Sequence, residues 1–423
     1  MNKIFLTTLG VVCTSAYLQA SVVAEDKKHS VRKIINSFAN KNIKNVPVSD
    51  SLEHIFEDGK VSMQLESMYA SYNQKKALEP DTYATALGGT LKYELASLYG
   101  FNAGVALTTS YDIGFATGDK GNGKQNAELS STKGNYTQFS ELYLNYKNDG
   151  LNIRAGRQLI DTPLADSDDI RMVHNTFEAY IADYELGNID FIAGKLQRWQ
   201  GYDAGLDLKW QNTGENGTWM FATTYSDKTI TASAWYYDIT KSVDALYTDI
   251  DAHYAFNKNT ELHSAFQYLH ENEKNNSGYA ASIYGAMSEL SLYDFNFGIA
   301  YNKSSKKAGK QSFSGFGGGT MFTSMDTMII DNIAQDRDAH AVVLGIIYSL
   351  AEWKFLYTHG DFYGDADSSN VKEHIREHDI GFEYTLNEQF ALACIYVKED
   401  DRQNNIKTLN DWDRTQIMLK YDF

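Results

Sequence analysis

Proline is nearly missing from this chain, with 3 in 423 residues. Average usage of about 5% would give roughly 20. A strand residue without its N–H loses a ladder hydrogen bond, so a chain made mostly of strands has little room for proline. Pro47, Pro80 and Pro163 all lie outside the segments read below as strands. Cysteine is scarce as well. Cys13 sits in the apolar N-terminal run, so its removal would leave Cys394 as one thiol and no internal disulfide. Long apolar runs are absent and 22% of residues are charged, which excludes a bundle of membrane helices of ~20 apolar residues each. Positive charge is in deficit: 38 Lys and Arg against 55 Asp and Glu leave a net charge of −17. Phosphate binding needs a basic patch, so a nucleic-acid partner is excluded. An acidic balance suits a solvated channel or loop surface.

Aromatic residues are what the chain has in abundance. They make up 13%, with 29 Tyr and 21 Phe, and with 43% hydrophobic residues they exclude a disordered chain.

The first residues read as an export signal. Lys3 precedes the apolar stretch Ile4 to Val12, small residues follow, and the polar run begins at Glu25. Cleavage is expected after Ala20 or Ala24, giving a signal peptide over 1–24. Residues 25–58 read as a periplasmic helical preamble. Val31, Ile34, Ile35 and Phe38 form a helical stripe. Asp50 and Glu53 have the spacing of a capping box for a second short helix that stops near Gly59.

From residue 59 to 423 the period is two. Phe101, Ala103, Val105, Leu107 and Tyr111 alternate with smaller or polar residues, and Phe295, Phe297, Ile299 and Tyr301 do the same. Segments of about ten residues with one apolar and one polar face predict a membrane barrel whose wet side is inside. Connections alternate between short turns such as Asn148-Asp149-Gly150 and long polar loops such as 114–135, 160–176 and 302–338. The expectation is an all-β, antiparallel transmembrane barrel of about 18 strands with inward-folded external loops. It places the protein in the outer membrane of a Gram-negative bacterium. Ile417, Leu419, Tyr421 and Phe423 alternate to the last residue. Tyr421 and Phe423 are therefore expected at the closure seam, with lipid-facing aromatics at the girdle, as an assembly signal.

Eighteen strands leave an aqueous channel unless something fills it. Two loops are candidates to narrow it. The first spans Leu159 to Thr176, with Asp161, Asp166, Asp168, Asp169 and Arg171. The second spans Asn302 to Ala339 and carries Met321, Phe322, Met325, Met328, Ile329 and Ile330, too apolar a run to face water. By parity the inward residues include Glu66, Glu94, Glu141, Glu178, Asp249, Asp251, Glu377 and Asp379. Against them stand Lys92, Arg154, Lys354, Arg414 and Lys420.

Gly156-Arg157-Gln158, Thr162-Pro163, Asp168, Arg171, Phe177 and Glu178 together resemble the third-loop region of OprD-type outer-membrane porins. Trp235-Tyr236-Tyr237-Asp238 and Gly59-Lys60-Val61 add to the resemblance, which departs from the family at His174, where a proline is expected. The resemblance implies an 18-stranded barrel passing small solutes, with arginines at the constriction that bind substrate carboxylates. Arg154, Arg157 and Arg171 stand where those arginines belong, and the acidic wall argues against a purely anionic substrate.

The function expected is passive diffusion of small hydrophilic solutes and ions, with amino acids or small carboxylates as the preferred class. The alternatives are a plugged adhesion or structural barrel and, behind it, a barrel lipase or protease. No enzyme activity and no cofactor is expected. Expected partners are outer-membrane lipid and lipopolysaccharide, the barrel assembly machinery, small solutes and, as an open arrangement, a homotrimer. His374-Ile375-Arg376-Glu377-His378 matches an inverted zincin pattern, but zinc ligation by it needs a helix and the pattern enters a strand. Asp365 and Asp367 are too few to define a cation loop.

Overall fold

The computed structural model describes residues 47–75, 80–129, 135–167, 171–205, 209–317, 319–387, 389–408 and 410–423. The expected signal peptide and the stripe from Val31 to Phe38 lie outside them. The expected helix after Asp50 does not form: residues 51–58 are turns. Asp50 pairs with the imidazole of His54 at 3.0 Å instead of capping a backbone N–H. The Tyr93 hydroxyl ties down the Phe56 carbonyl.

The wall begins with β1 (Lys60–Gln74), β2 (Thr82–Glu94), β3 (Phe101–Asp112), β4 (Tyr136–Asn148) and β5 (Leu151–Gln158). A two-strand hairpin, β6 (Asp161–Thr162) and β7 (Ala165–Asp166), sits in the next loop. The wall resumes with β8 (Thr176–Leu186) and β9 (Ile189–Gln200), which β10 (Gln211–Asn212) extends. Then come β11 (Thr218–Ser226), β12 (Ile230–Ile239), β13 (Val243–Asn257), β14 (Thr260–Glu273), β15 (Ser282–Leu292) and β16 (Phe295–Ser304). After the longest loop follow β17 (Ala339–Leu350), β18 (Trp353–Gly364), β19 (Glu373–Thr385) and β20 (Phe390–Gln403). The short β21 (Ile406–Lys407) pairs with β20, and β22 (Trp412–Asp422) ends the wall.

Each wall strand pairs antiparallel with its neighbours, and β22 pairs back onto β1 from Gln64↔Asp422 to Gln74↔Trp412. The barrel is therefore closed with 18 strands, and no edge remains to template aggregation. At the seam the backbone N–H of Phe423 donates to the Met63 carbonyl at 2.9 Å, and its ring meets Tyr421 edge-on at 4.6 Å. Tyr421 lies opposite Leu65 on one side and Phe390 on the other.

Burial along the strands is the reverse of a water-soluble sheet. Leu87, Leu91, Phe139, Leu144, Phe266 and Ile299 are exposed, while Glu66, Lys92, Glu94, Arg154, Glu377 and Arg414 are buried. In water an outer wall of this kind would expose far more contiguous apolar surface than a monomeric protein does. The apolar face is thus made for hydrocarbon and the polar face for a wet interior, as in membrane barrels. No helix among the described residues is long and apolar enough to cross a membrane.

The two loops expected to turn inward do so. In loop 305–338, Met321, Met325, Met328, Ile330 and Ile333 are buried against the wall residues Ala341, Val343 and Phe362. Each such side chain removed from water contributes about 1.5–3 kcal/mol. An aromatic chain runs from the wall into the loops, with Phe177–Trp199 at 6.0 Å, Trp199–Phe316 at 5.6 Å and Phe316–Phe313 at 4.9 Å.

Candidate functional site

The two inward loops meet each other inside the barrel. The N–H of Phe316 donates to Leu164 O at 2.9 Å, and the N–H of Asp166 donates to Phe316 O at 3.1 Å. The Thr320 hydroxyl donates to Pro163 O. The hairpin β6–β7 therefore gains a third strand-like partner from the other loop. Its Asp161 and Asp166 face each other across that hairpin. Asp168 and Asp169 lie outside the described residues.

Loop 305–338 is also fastened to the wall. Glu377 on β19 accepts the N–H groups of Thr327 at 3.1 Å and Met328 at 2.9 Å, and the Thr327 hydroxyl as well. Asn302 on β16 accepts the N–H and hydroxyl of Thr323 at 2.9 and 3.0 Å. At the loop's outer base Asp336 accepts N–H groups from Gly309 and Ser368. Bonding to Ser368 and Gly309 holds its carboxyl down at about 2.

One ionic network joins four loops and the wall near the long-loop end. Arg414 on β22 is buried, with its guanidinium against Asp326 of loop 305–338 and 3.3 Å from Glu128 of loop 113–135. Glu128 also lies 3.6 Å from Arg171 of loop 159–175, and Arg171 lies 3.5 Å from Asp203 of loop 201–217. Asn175 donates to Asp203 at 2.8 Å. Tyrosines flank both cations: Tyr202 is 4.0 Å beneath Arg171, and Tyr72, which donates to Glu128, is 5.7 Å from Arg414. Burial, reinforced by the Glu128 charge, pushes the Tyr202 phenol above its ordinary range. Arg171 thus lies among the inward loops, beside two carboxylates.

A second charged patch lines the wall nearer the short-turn end. Lys92 bridges Glu141 at 3.0 Å and Glu94 at 3.5 Å, and Lys420 reaches Glu66 at 3.0 Å. The Tyr143 hydroxyl donates to Glu94, and the guanidinium of Arg154 lies 4.1 Å over the Tyr143 ring. The Nε of Arg154 donates to Asn145 at 3.2 Å. Arg154 and Arg171 both face the interior, on different elements and with different partners. On β19 and β20 the buried inward side chains include four carboxylates, Glu377, Asp379, Glu399 and Asp401. Among the buried charged groups of the inner wall, carboxylates outnumber cations.

Two expected interior residues are on the other face. Arg157 lies opposite Leu142, which is 58% exposed on the outer wall. It pairs with Glu178 at 3.4 Å rather than with anything in the lumen. Arg157 lies three positions after Arg154, and an odd spacing on a strand reverses the face. Glu178 is outside by plain alternation, since its neighbours Phe177 and Ala179 and, two further on, Ile181 are buried inward. The register shift at Glu178/Ala179 places its extra residue, Gln197, on β9 and so turns Arg198 outward opposite Glu178. Glu128, Asp203, Tyr202 and Asp326 escaped the sequence reading because they come from loops, where no period assigns a direction.

Among the described residues no group of three or more His, Cys, Asp or Glu side chains is arranged to hold a metal ion. His374 and Glu377 point to opposite faces of β19. His374 bonds Asp361 at 3.0 Å while Glu377 holds the inner loop. Asp367 is occupied by its own loop and by Arg337 at 3.0 Å.

No family model matches the chain, and no curated protein does. Solved structures do match. OpdK from Pseudomonas aeruginosa, solved with vanillate, superposes with a TM-score of 0.73 at 14% identity, over 87% of this chain and 99% of that one. OccAB2 from Acinetobacter baumannii gives 0.71 at 15% identity over 87% and 98%. OpdQ from Pseudomonas aeruginosa gives 0.67 at 14% over 88% and 99%. The architecture implied by the third-loop resemblance is the one observed: the chain has the 18-stranded fold of the OprD/Occ-type porins.

Proposed function

We propose that the chain is an outer-membrane porin through which small hydrophilic solutes and ions diffuse passively. The observation that carries this reading is a closed barrel with an apolar outer wall, a charged inner wall and two long loops folded into the interior. Ion pairs such as Arg171–Glu128–Arg414 present fixed charge of both signs at the narrowed level. Below them the excess of carboxylates favours cations through the wide part of the channel. Zwitterions such as amino acids match this arrangement better than simple anions, because a guanidinium can take the carboxylate in a fork while an acidic wall takes the amine. The vanillate in the OpdK structure is a carboxylate, which agrees with the first half of that match.

A second reading, a plugged structural barrel, has one observation in its favour, the direct bonding of loop 159–175 to loop 305–338 across the interior. Proteoliposome swelling separates the two. The porin reading expects swelling in isotonic pentose or amino acid and none in a large polysaccharide; an unresponsive liposome containing heat-modifiable barrel supports the plug. Arg171→Ala is expected to weaken block of ion current by amino acids roughly tenfold, the loss of one charge-assisted fork. Equal block in both proteins would remove Arg171 from solute recognition.

A further inference from the structure

We propose that Arg157, Arg198 and Trp210 form a site on the barrel's outer wall for the phosphate of an outer-leaflet lipid headgroup. The inference rests on the membrane-channel reading above. The residues come together by register. Leu142, Arg157, Glu178 and Arg198 are successive cross-strand partners on β4, β5, β8 and β9. Leu142 is exposed, so the row faces outward. The extra residue Gln197 on β9 turns Arg198 outward opposite Glu178, so that carboxylate lies between the two arginines. Arg198 donates to it through Nε and, at 3.0 Å, through Nη2.

Trp210, from loop 201–217, supplies a ring that both guanidinium groups approach, Arg157 at 4.6 Å and Arg198 at 5.0 Å. On the same face Lys195 lies 4.6 Å over Trp219. Three cations here meet one carboxylate. At two other places on the outer rim a lysine is held by two carboxylates: Lys274 by Asp238 and Asp244, and Lys407 by Asp400 and Asp411. A surplus of positive charge on a lipid-facing wall is costly in hydrocarbon and favourable beside anionic headgroups. Depth agrees. Arg157 and Arg198 are near the long-loop ends of β5 and β9, and the two tryptophans are of the type that anchors at the interface.

The fork is preorganised. Arg157 Nη1 is fixed by the Phe139 carbonyl at 3.0 Å, and stacking on Trp210 sets the guanidinium planes. Arg198 keeps a 46% exposed side chain through which a phosphate can be reached. A phosphate monoester is the partner whose charge and geometry suit two converging guanidiniums.

The test uses the full-length protein extracted from outer membranes in mild detergent, with lipid phosphate counted per folded barrel. The same proteins are then titrated with nanodiscs of phosphatidylcholine carrying either bis-phosphorylated or dephosphorylated lipid A. The proposal expects preference for the phosphorylated lipid, a roughly tenfold loss in Arg157→Ala/Arg198→Ala, and a smaller loss in Arg198→Ala alone. Glu178→Gln, which removes the competing carboxylate, should bind more tightly. Arg198→Ala covers the case in which the double variant folds poorly. Equal binding by wild type and Arg198→Ala overturns the proposal. So does complete displacement by millimolar inorganic phosphate, which would make the site one for free anion. Loss of an oligomer without loss of lipid would make the cluster a contact between copies, and also overturns it. Conductance measured on the same samples reports separately on the channel reading, because these side chains lie outside the lumen.

Discussion

Replacing residues 306–337 by a short turn is expected to raise single-channel conductance several-fold and leave the barrel folded. The strands on either side can be joined directly, since Ser304 and Ala339 are already cross-strand partners. The wall does not need the loop for its ladder, which runs unbroken from β16 to β17. What the loop supplies is obstruction. Its buried methionines and isoleucines fill one side of the interior, and its contact with loop 159–175 braces the other narrowing element. Removing it opens Glu377, Asn302 and Arg414 to lumen water, which solvates them, so the stability cost comes chiefly from lost apolar packing and the lost Asp326 partner of Arg414. The conductance increase should come with weaker block by amino acids, because Asp326 leaves with the loop and Arg414 loses its fixed geometry. A truncated barrel that conducts like the wild type would show that this loop does not limit passage.

The second large effect is expected at Arg414. Its side chain is 1% exposed, as is that of Asp326, and Glu128 is nearly as buried. Arg414→Ala leaves both carboxylates without this cation, and breaking a buried pair in this way costs about 3–5 kcal/mol. The loss should appear as a lower urea midpoint for the tryptophan fluorescence of the folded barrel. It should also appear in the current. Loops 113–135 and 305–338 are both tied to the wall through this guanidinium, so their release predicts frequent closures and greater cation selectivity. Arg414→Lys keeps the charge but cannot reach two carboxylates as a fork, so it should fall between the two. A variant as stable and as quiet as the wild type would mean that the network is ornamental.

Much of the barrel was legible in the sequence for one physical reason. A wall with lipid on one side and water on the other imposes a period of two on every strand, and Phe295, Phe297 and Ile299 carry it plainly. Antiparallel closure then requires an even strand number, and the alternation of short and long connections gives the sidedness. The inward course of loop 305–338 was legible from composition, since Met321, Met325, Met328 and Ile330 cannot be left in water. Parity failed where the ladder slips. The register shifts at Ala106/Leu107 and Glu178/Ala179 add Ser140 to β4 and Gln197 to β9, residues that no pattern announces, and the second turns Arg198 to the outer wall. Arg157 is a different case: its odd distance from Arg154 already assigned it to the other face, and the family resemblance outweighed that spacing. The short helix after Asp50 failed because the carboxylate found an imidazole four residues on. The Arg414–Glu128–Arg171 network was out of reach, because it joins a wall strand to loops whose directions follow only from the folded chain.

Ion selectivity of the wild-type channel in a planar bilayer tests the central claim most directly. With a tenfold potassium chloride gradient across the membrane, the account predicts discrete, stable conductance steps and a reversal potential displaced toward cations. The displacement should shrink as salt rises, because screening by ~8 Å at physiological ionic strength reaches across the wide vestibule first. Folded barrels that insert without any conductance, or a reversal potential displaced toward anions at low salt, would contradict it.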